Sequence, residues 1–259
     1  MRAKDIIKNI LYASIFLFGI CLNAQEKKLV WEENFDGEVL NEKDWNFELG
    51  DGCPNMCGWG NNEKQNYTRQ NHRLEDGFLV ITAKKKDSIY TSTRITTKGK
   101  KEFKYGRMEA RLKLPLGKGV WPAFWMLGSN ISKVGWPMCG EIDIMEYVGR
   151  EPGTLFTTLH TKDSHGNSKN TRKAAIEGID EGFHTYAAEW TESEISFFVD
   201  GEHFYTFEPE NSSEEVWPFD QPFYFILNLA IGGNFGGNDI DDSIFPVEYV
   251  IDYIRVYQN

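Results

Sequence analysis

This chain of 259 residues is poor in cysteine, has no basic excess and has no apolar run long enough to cross a bilayer. Each shortage removes a class of protein. With 28 Lys and Arg against 39 Asp and Glu, the formal charge is −11. An acidic surface argues against nucleic acid and anionic membranes as partners, and more weakly against sulfated polymers. Neutral substrates stay open. The apolar stretch 10–22 falls short of the ~20 residues a spanning helix needs. No amphipathic helix, linker, low-complexity run or internal repeat is evident between residues 25 and 259, so a single domain is expected there.

The short apolar stretch instead reads as the centre of an export signal. Arg2, Lys4 and Lys8 precede it, and Asn23-Ala24 offers a cleavage point before Gln25. The expectation is a leader over 1–24 and a secreted protein, extracellular or periplasmic. Lipid anchoring at Cys21 would call for a small residue before it, and Ile20 is not small. Loss of the leader removes a net +2 and moves the formal charge from −11 to −13. Cys53, Cys57 and Cys139 remain; the first two can pair in an oxidising compartment, leaving Cys139 single. They are too sparse for a structural zinc site.

What is plentiful is aromatic side chains, with 8 Trp, 11 Tyr and 18 Phe, and short alternating segments. Residues 105–114 place Met108, Ala110, Leu112 and Leu114 on one face and Arg107, Glu109, Arg111 and Lys113 on the other. Segments 78–83, 155–160, 184–190, 223–230 and 247–257 have the same character, and Asp200-Gly201 between 194–199 and 202–207 is a hairpin signal. Strands at this spacing predict an all-β sandwich of two antiparallel sheets. Residues 174–177 suggest one helical turn, and 50–69 and 163–180 read as polar loops.

One strand is unusual. Glu141-Ile-Asp-Ile-Met-Glu146 sets three acids among apolar residues, and burying unpartnered carboxylates is costly enough to suggest a role. In a regular strand Glu146 would face away from Glu141 and Asp143. A bulge at Ile144 or Met145 would bring it back. The two Glu side chains, leaning inward, would then end roughly 5–6 Å apart, near the ~5–5.5 Å of a retaining glycosidase and below the ~6.5–9.5 Å of an inverting one. Trp121, Trp125 and Trp136 lie within 20 residues of Glu141, and flat rings of this kind suit a neutral sugar.

With these residues in place, the mature chain resembles glycoside hydrolase family 16, and within it the laminarinase-like endo-β-1,3-glucanases. The resemblance runs through Trp59-Gly-Asn-Asn-Glu-Lys-Gln-Asn-Tyr-Thr68, Ser92-Thr-Arg-Ile95, Tyr105 to Arg111, Gly119-Val-Trp-Pro-Ala-Phe-Trp-Met-Leu127, Gly140 to Gly149, Asn228-Leu-Ala-Ile-Gly-Gly-Asn234 and Asp252-Tyr-Ile-Arg-Val-Tyr257. It implies a concanavalin-like β-jelly roll with a concave cleft, filled by one catalytic domain over 25–259. It also implies a retaining double displacement with Glu141 as nucleophile, Glu146 as acid/base and Asp143 assisting.

Lichenase-like and xyloglucan-active members resemble Glu-x-Asp-x-Glu; the longer spacing here is that of laminarinases, agarases and carrageenases, and the Trp59-Gly-Asn-Asn-Glu63 and Asn228-Leu-Ala-Ile-Gly-Gly233 segments look like laminarinases. By the same resemblance Asn61, Arg94, Trp121, Trp125 and His160 would touch sugar, and Trp136 joins them as a third Trp of the cleft. No catalytic cofactor is implied. A structural Ca²⁺ held by Glu33, the Gly77 carbonyl and Asp252 is. The implied partner is a neutral β-glucan, acted on by a monomer without nucleic acid or membrane insertion. Two other readings remain open: preference for mixed β-1,3-1,4-glucan, and a non-catalytic glucan-binding protein on the same fold.

Overall fold

A computed structural model describes residues 27–259; the expected leader over 1–24 lies outside the described residues. The alternating segments do become strands, and these pair into two stacked sheets. The eight-stranded sheet runs Thr171–Ala175, Thr154–His160, Glu141–Tyr147, Val120–Gly128, Phe223–Ile231, Arg94–Thr96 and Asn46–Glu48, with Glu102–Phe103 added on Phe223–Ile231. The ten-stranded sheet is built around Val247–Gln258, which pairs with Lys28–Glu33, Phe78–Lys86 and Gly106–Lys113. The strand pairs are antiparallel except Gln65–Tyr67 with Ile89–Ser92, which is parallel. This is the two-sheet sandwich that the strand pattern predicts and the jelly roll that the family resemblance implies.

The hairpin signal at Asp200-Gly201 holds. Both residues have positive φ, 50° and 82°, as a two-residue primed turn requires. The helical turn expected at 174–177 does not form. Ala174 and Ala175 end a strand, Thr171–Ala175, which forms the sheet edge and pairs with Thr154–His160. Ladder hydrogen bonds there outweigh alanine's helix preference, which is worth only tenths of a kcal/mol per residue. The same strand interrupts the loop expected at 163–180.

Between the sheets lies one large apolar core, to which Met108, Ala110 and Leu112 contribute from one sheet and Phe124, Met126, Phe225 and Leu227 from the other. A second, smaller cluster of Leu127, Cys139, Tyr224 and Ile226 sits apart from it, with Trp125 and Ile131 packed against it. Trp125 and Leu127 alternate with core-facing Phe124 and Met126, so this cluster lies on the outer face of the eight-stranded sheet. It anchors the 129–140 segment over that face. Gly128 makes the fold-back possible: a Cβ there would stand 2.0 Å from the Cys139 carbonyl oxygen.

Candidate active site

The acid strand Glu141–Tyr147 carries the predicted bulge. Against its neighbour, Asp143 pairs with Thr158 and Glu146 with Phe156, so three steps on one strand answer two on the other. The same irregularity appears on its other side, between Trp125 opposite Asp143 and Phe124 opposite Met145. Ile144 and Met145, consecutive in sequence, are both in the main core. The core claims both, and Glu146 returns to the outer face with Glu141 and Asp143.

Each glutamate is held by a tryptophan. Trp136 Nε1 donates to Glu141 Oε2 at 2.9 Å, and Trp121 Nε1 donates to Glu146 Oε1 at 3.0 Å. His160, directly opposite Glu141 in the register, sets its Nε2 3.2 Å from Asp143 Oδ2 and 3.5 Å from Glu141 Oε1. Asp143 is 3% exposed and Glu146 9%. Burial, followed by the charge of Asp143, pushes Glu141 up to about 8, and Glu146 is raised in the same way. Burial raises Asp143 as well. Three carboxyls this close cannot all ionise near neutral pH, so the cluster holds protons where an exposed cluster would not.

The remaining predicted residues lie on the same face and are linked by a buried network. Trp125 Nε1 donates to Asn228 Oδ1 at 2.7 Å, and Asn228 Nδ2 donates to the Tyr67 hydroxyl at 3.2 Å. The Tyr67 hydroxyl in turn donates to Glu63 Oε2 at 3.1 Å, and Asn61 Nδ2 donates to Glu63 Oε1 at 3.2 Å. Arg94, 7% exposed, pairs with Glu48 and lays its guanidinium 4.5 Å from the Trp59 ring and 5.0 Å from that of Trp125. The strand order therefore places Asn61 and Arg94 on one side of the acid strand and His160 on the other.

Sequence reasoning missed Glu48, Glu63, Tyr67 and Asn228. Glu63, Tyr67 and Asn228 lie inside the segments that carried the family resemblance, so the signal was present. Phe235, edge-on to Trp121 at 5.4 Å and to Phe156 at 5.0 Å, has no sequence signature. Cys53 and Cys57 form a disulfide, and Cys139 is a free, buried thiol pushed up to about 11 by burial and by Glu141.

Glu33, Gly77 and Asp252 are drawn toward one end of the ten-stranded sheet. Glu33 pairs with Ile254, and Leu79, two residues after Gly77, pairs with Ile251. The Glu33 carboxylate accepts from Phe35 N at 2.9 Å and Trp45 Nε1 at 3.1 Å, while Asp252 pairs with Arg111. The donors are hard oxygens with lone pairs to spare, which fits Ca²⁺, and an ion would share them with these partners.

Residues 60–254 match the family described as Glycosyl hydrolases family 16. The β-glucanase of Rhodothermus marinus is 37% identical over 283 residues, covering 100% of this chain and 97% of that protein. The crystal structure of laminarinase from Flavobacterium sp. UMI-01 is similar with a TM-score of 0.88 at 65% identity, covering 89% of this chain and 100% of that one. The laminarinase catalytic domain from Thermotoga maritima MSB8 has a TM-score of 0.85 at 44% identity, covering 90% and 98%.

Proposed function

The chain belongs to glycosyl hydrolase family 16, and from that premise we propose that it cleaves β-1,3-glucan of the laminarin type within the polymer, with retention at the anomeric carbon. The observation that carries this reading is the bulge, which returns Glu146 to the face of Glu141 and Asp143. The relatives named above, laminarinases and a β-glucanase, support the substrate class.

In this mechanism ionised Glu141 attacks the sugar carbon while protonated Glu146 gives its proton to the departing glycosidic oxygen. The covalent glycosyl-enzyme is then hydrolysed by water, whose proton returns to Glu146 as the bond to Glu141 breaks. The Trp136 and Trp121 N–H groups fix the two carboxyls, and Asp143 with His160 holds the charge balance beside the nucleophile. Burial favours the proton needed on Glu146, and because it raises Glu141 equally, Glu141 must give up its own proton before it attacks. Asn61, Arg94 and Trp125 grip sugars on one side of the cut. The carboxyls suffice for this chemistry without a cofactor, and Ca²⁺ at Glu33, Gly77 and Asp252 would serve only to tie the first and last strands together. Export by a leader over 1–24 and action as a monomer complete the proposal.

The test is to incubate the mature chain with laminarin, follow reducing ends, and read the first-formed anomer by proton NMR. Release of β-anomer, lost in Glu141→Ser, is the expected result. α-Anomer would refute retention, and no release would refute the substrate. Parallel rates on mixed β-1,3-1,4-glucan decide between the two polymers.

A further inference from the structure

We propose that Glu141, Asp143 and His160 form a binding site for a divalent transition-metal ion of the zinc type, and that an ion seated there blocks the hydrolase. The three side chains offer one imidazole nitrogen and two carboxylate oxygens, all within 4.8 Å of one another. His160 Nε2 is 3.2 Å from Asp143 Oδ2 and 3.5 Å from Glu141 Oε1. An ion with bonds of ~2.0–2.1 Å in tetrahedral geometry needs its donors roughly 3.3 Å apart, which the two His160 separations match, while the two carboxylate oxygens need only come from within 4.8 Å of one another.

Asp143, 3% exposed, directs into the cluster an Oδ2 that has no well-aligned hydrogen bond and only His160 Nε2 at 3.2 Å beside it, which is unusual for a buried oxygen. His160 Nε2 faces both carboxylates, whose oxygens favour its proton, so an ion must displace that proton before it takes the Nε2 lone pair. Trp136 N–H occupies only Glu141 Oε2, leaving Oε1 turned toward His160. A doubly charged ion would relieve repulsion among Glu141, Asp143 and nearby Glu146. The imidazole and the small donor number favour zinc, cobalt or copper over Ca²⁺, which takes six to eight oxygens. This site is therefore separate in place and chemistry from the Glu33, Gly77 and Asp252 group.

Binding of the ion does not depend on the glucan reading. Inhibition does, because an ion on Glu141 Oε1 occupies the lone pair that would attack the sugar and fills the same side of the cleft. Zinc and glucan should exclude one another.

The experiment titrates the mature chain with ZnCl₂ by calorimetry, and with CoCl₂ by visible absorption, in the absence and presence of excess laminari-oligosaccharide. Expected are a saturable zinc site, intense cobalt bands of low-coordinate geometry, and an apparent Kd raised by the sugar. His160→Gln should weaken zinc on the order of tenfold or more while thermal unfolding stays cooperative. No saturable binding overturns the proposal. So does binding unaffected by both the sugar and His160→Gln, since the ion then sits elsewhere, for example at the His184–Asp200 pair. Should His160→Gln fail to fold, the effect of the sugar on the wild-type chain decides. Zinc uptake without laminarin hydrolysis would keep this site and refute the glucanase reading.

Discussion

The indole N–H of Trp136 is hydrogen-bonded to Glu141 Oε2 at 2.9 Å, although the Trp136 side chain is 44% exposed and sits on the 129–140 segment rather than in the sheet. A loop residue thus orients a strand carboxylate. That arrangement depends on the small apolar cluster beneath the segment and on Gly128, which lets the chain double back.

Trp136→Phe keeps a ring and deletes the donor. A hydrogen bond to a charged group contributes about 1.5–3 kcal/mol, and partial exposure argues for the lower end. The expected outcome is a fall in kcat of roughly tenfold with KM little changed. Trp136→Ala should raise KM as well. Steady-state kinetics on laminarin would check both, and an unchanged kcat in Trp136→Phe would remove the positioning role.

Removing charge from the acid cluster should stabilise the fold. Glu141 is raised by burial and by Asp143, from the ordinary 4.5 to about 8. A raised carboxyl favours folding below its unfolded pKa and loses that contribution as pH climbs through the folded value. Glu141→Gln is therefore expected to melt higher than wild type by roughly 2–5 °C near pH 8, with the gap closing toward pH 4. Calorimetry across that range would show it; a gap independent of pH would contradict the electrostatic cause.

Arg94 is buried, and its partner Glu48 is only partly so. Removing one member strands the other, which for buried pairs costs about 3–5 kcal/mol. Arg94→Ala should cost about 3 kcal/mol, given the exposure of Glu48, and raise KM for laminarin. The double variant with Glu48→Ala should lose less than the two singles combined. Denaturant unfolding supplies the free energies, and strict additivity would argue against coupling.

Calcium, if held by Glu33, Gly77 and Asp252, should stabilise the chain by mass action, about 2.7 kcal/mol at a hundredfold excess over Kd. Chelation should lower the melting temperature and leave the pH dependence of kcat unchanged. Glu33→Gln should melt the same with and without the ion. A melting temperature indifferent to Ca²⁺ in the wild type would dismiss the site.

Much of this molecule was readable before any coordinates. Alternation in 105–114 specified which side chains enter the core, because strand geometry leaves each residue only two faces. Composition and charge directed attention to a neutral partner. The misphased Glu146 announced the bulge, since an acid among core residues must find an outer face or bear the cost of burial. The sequence also named all three acids and the tryptophans beside them.

Only the tertiary structure decided how those residues are used. The pairing of Trp136 with Glu141 and Trp121 with Glu146 depends on where a folded-back segment and a neighbouring strand deliver their indoles. The buried linkage from Trp125 through Asn228 and Tyr67 to Glu63 joins residues up to 165 positions apart. Strand Thr171–Ala175 replaced an expected helical turn because an open sheet edge offered its backbone better hydrogen bonds. Periodicity is a local property and survives in a string of letters. Hydrogen-bond partners across a sheet, and the burial that raises a carboxyl's pKa, arise only when distant segments exclude water together.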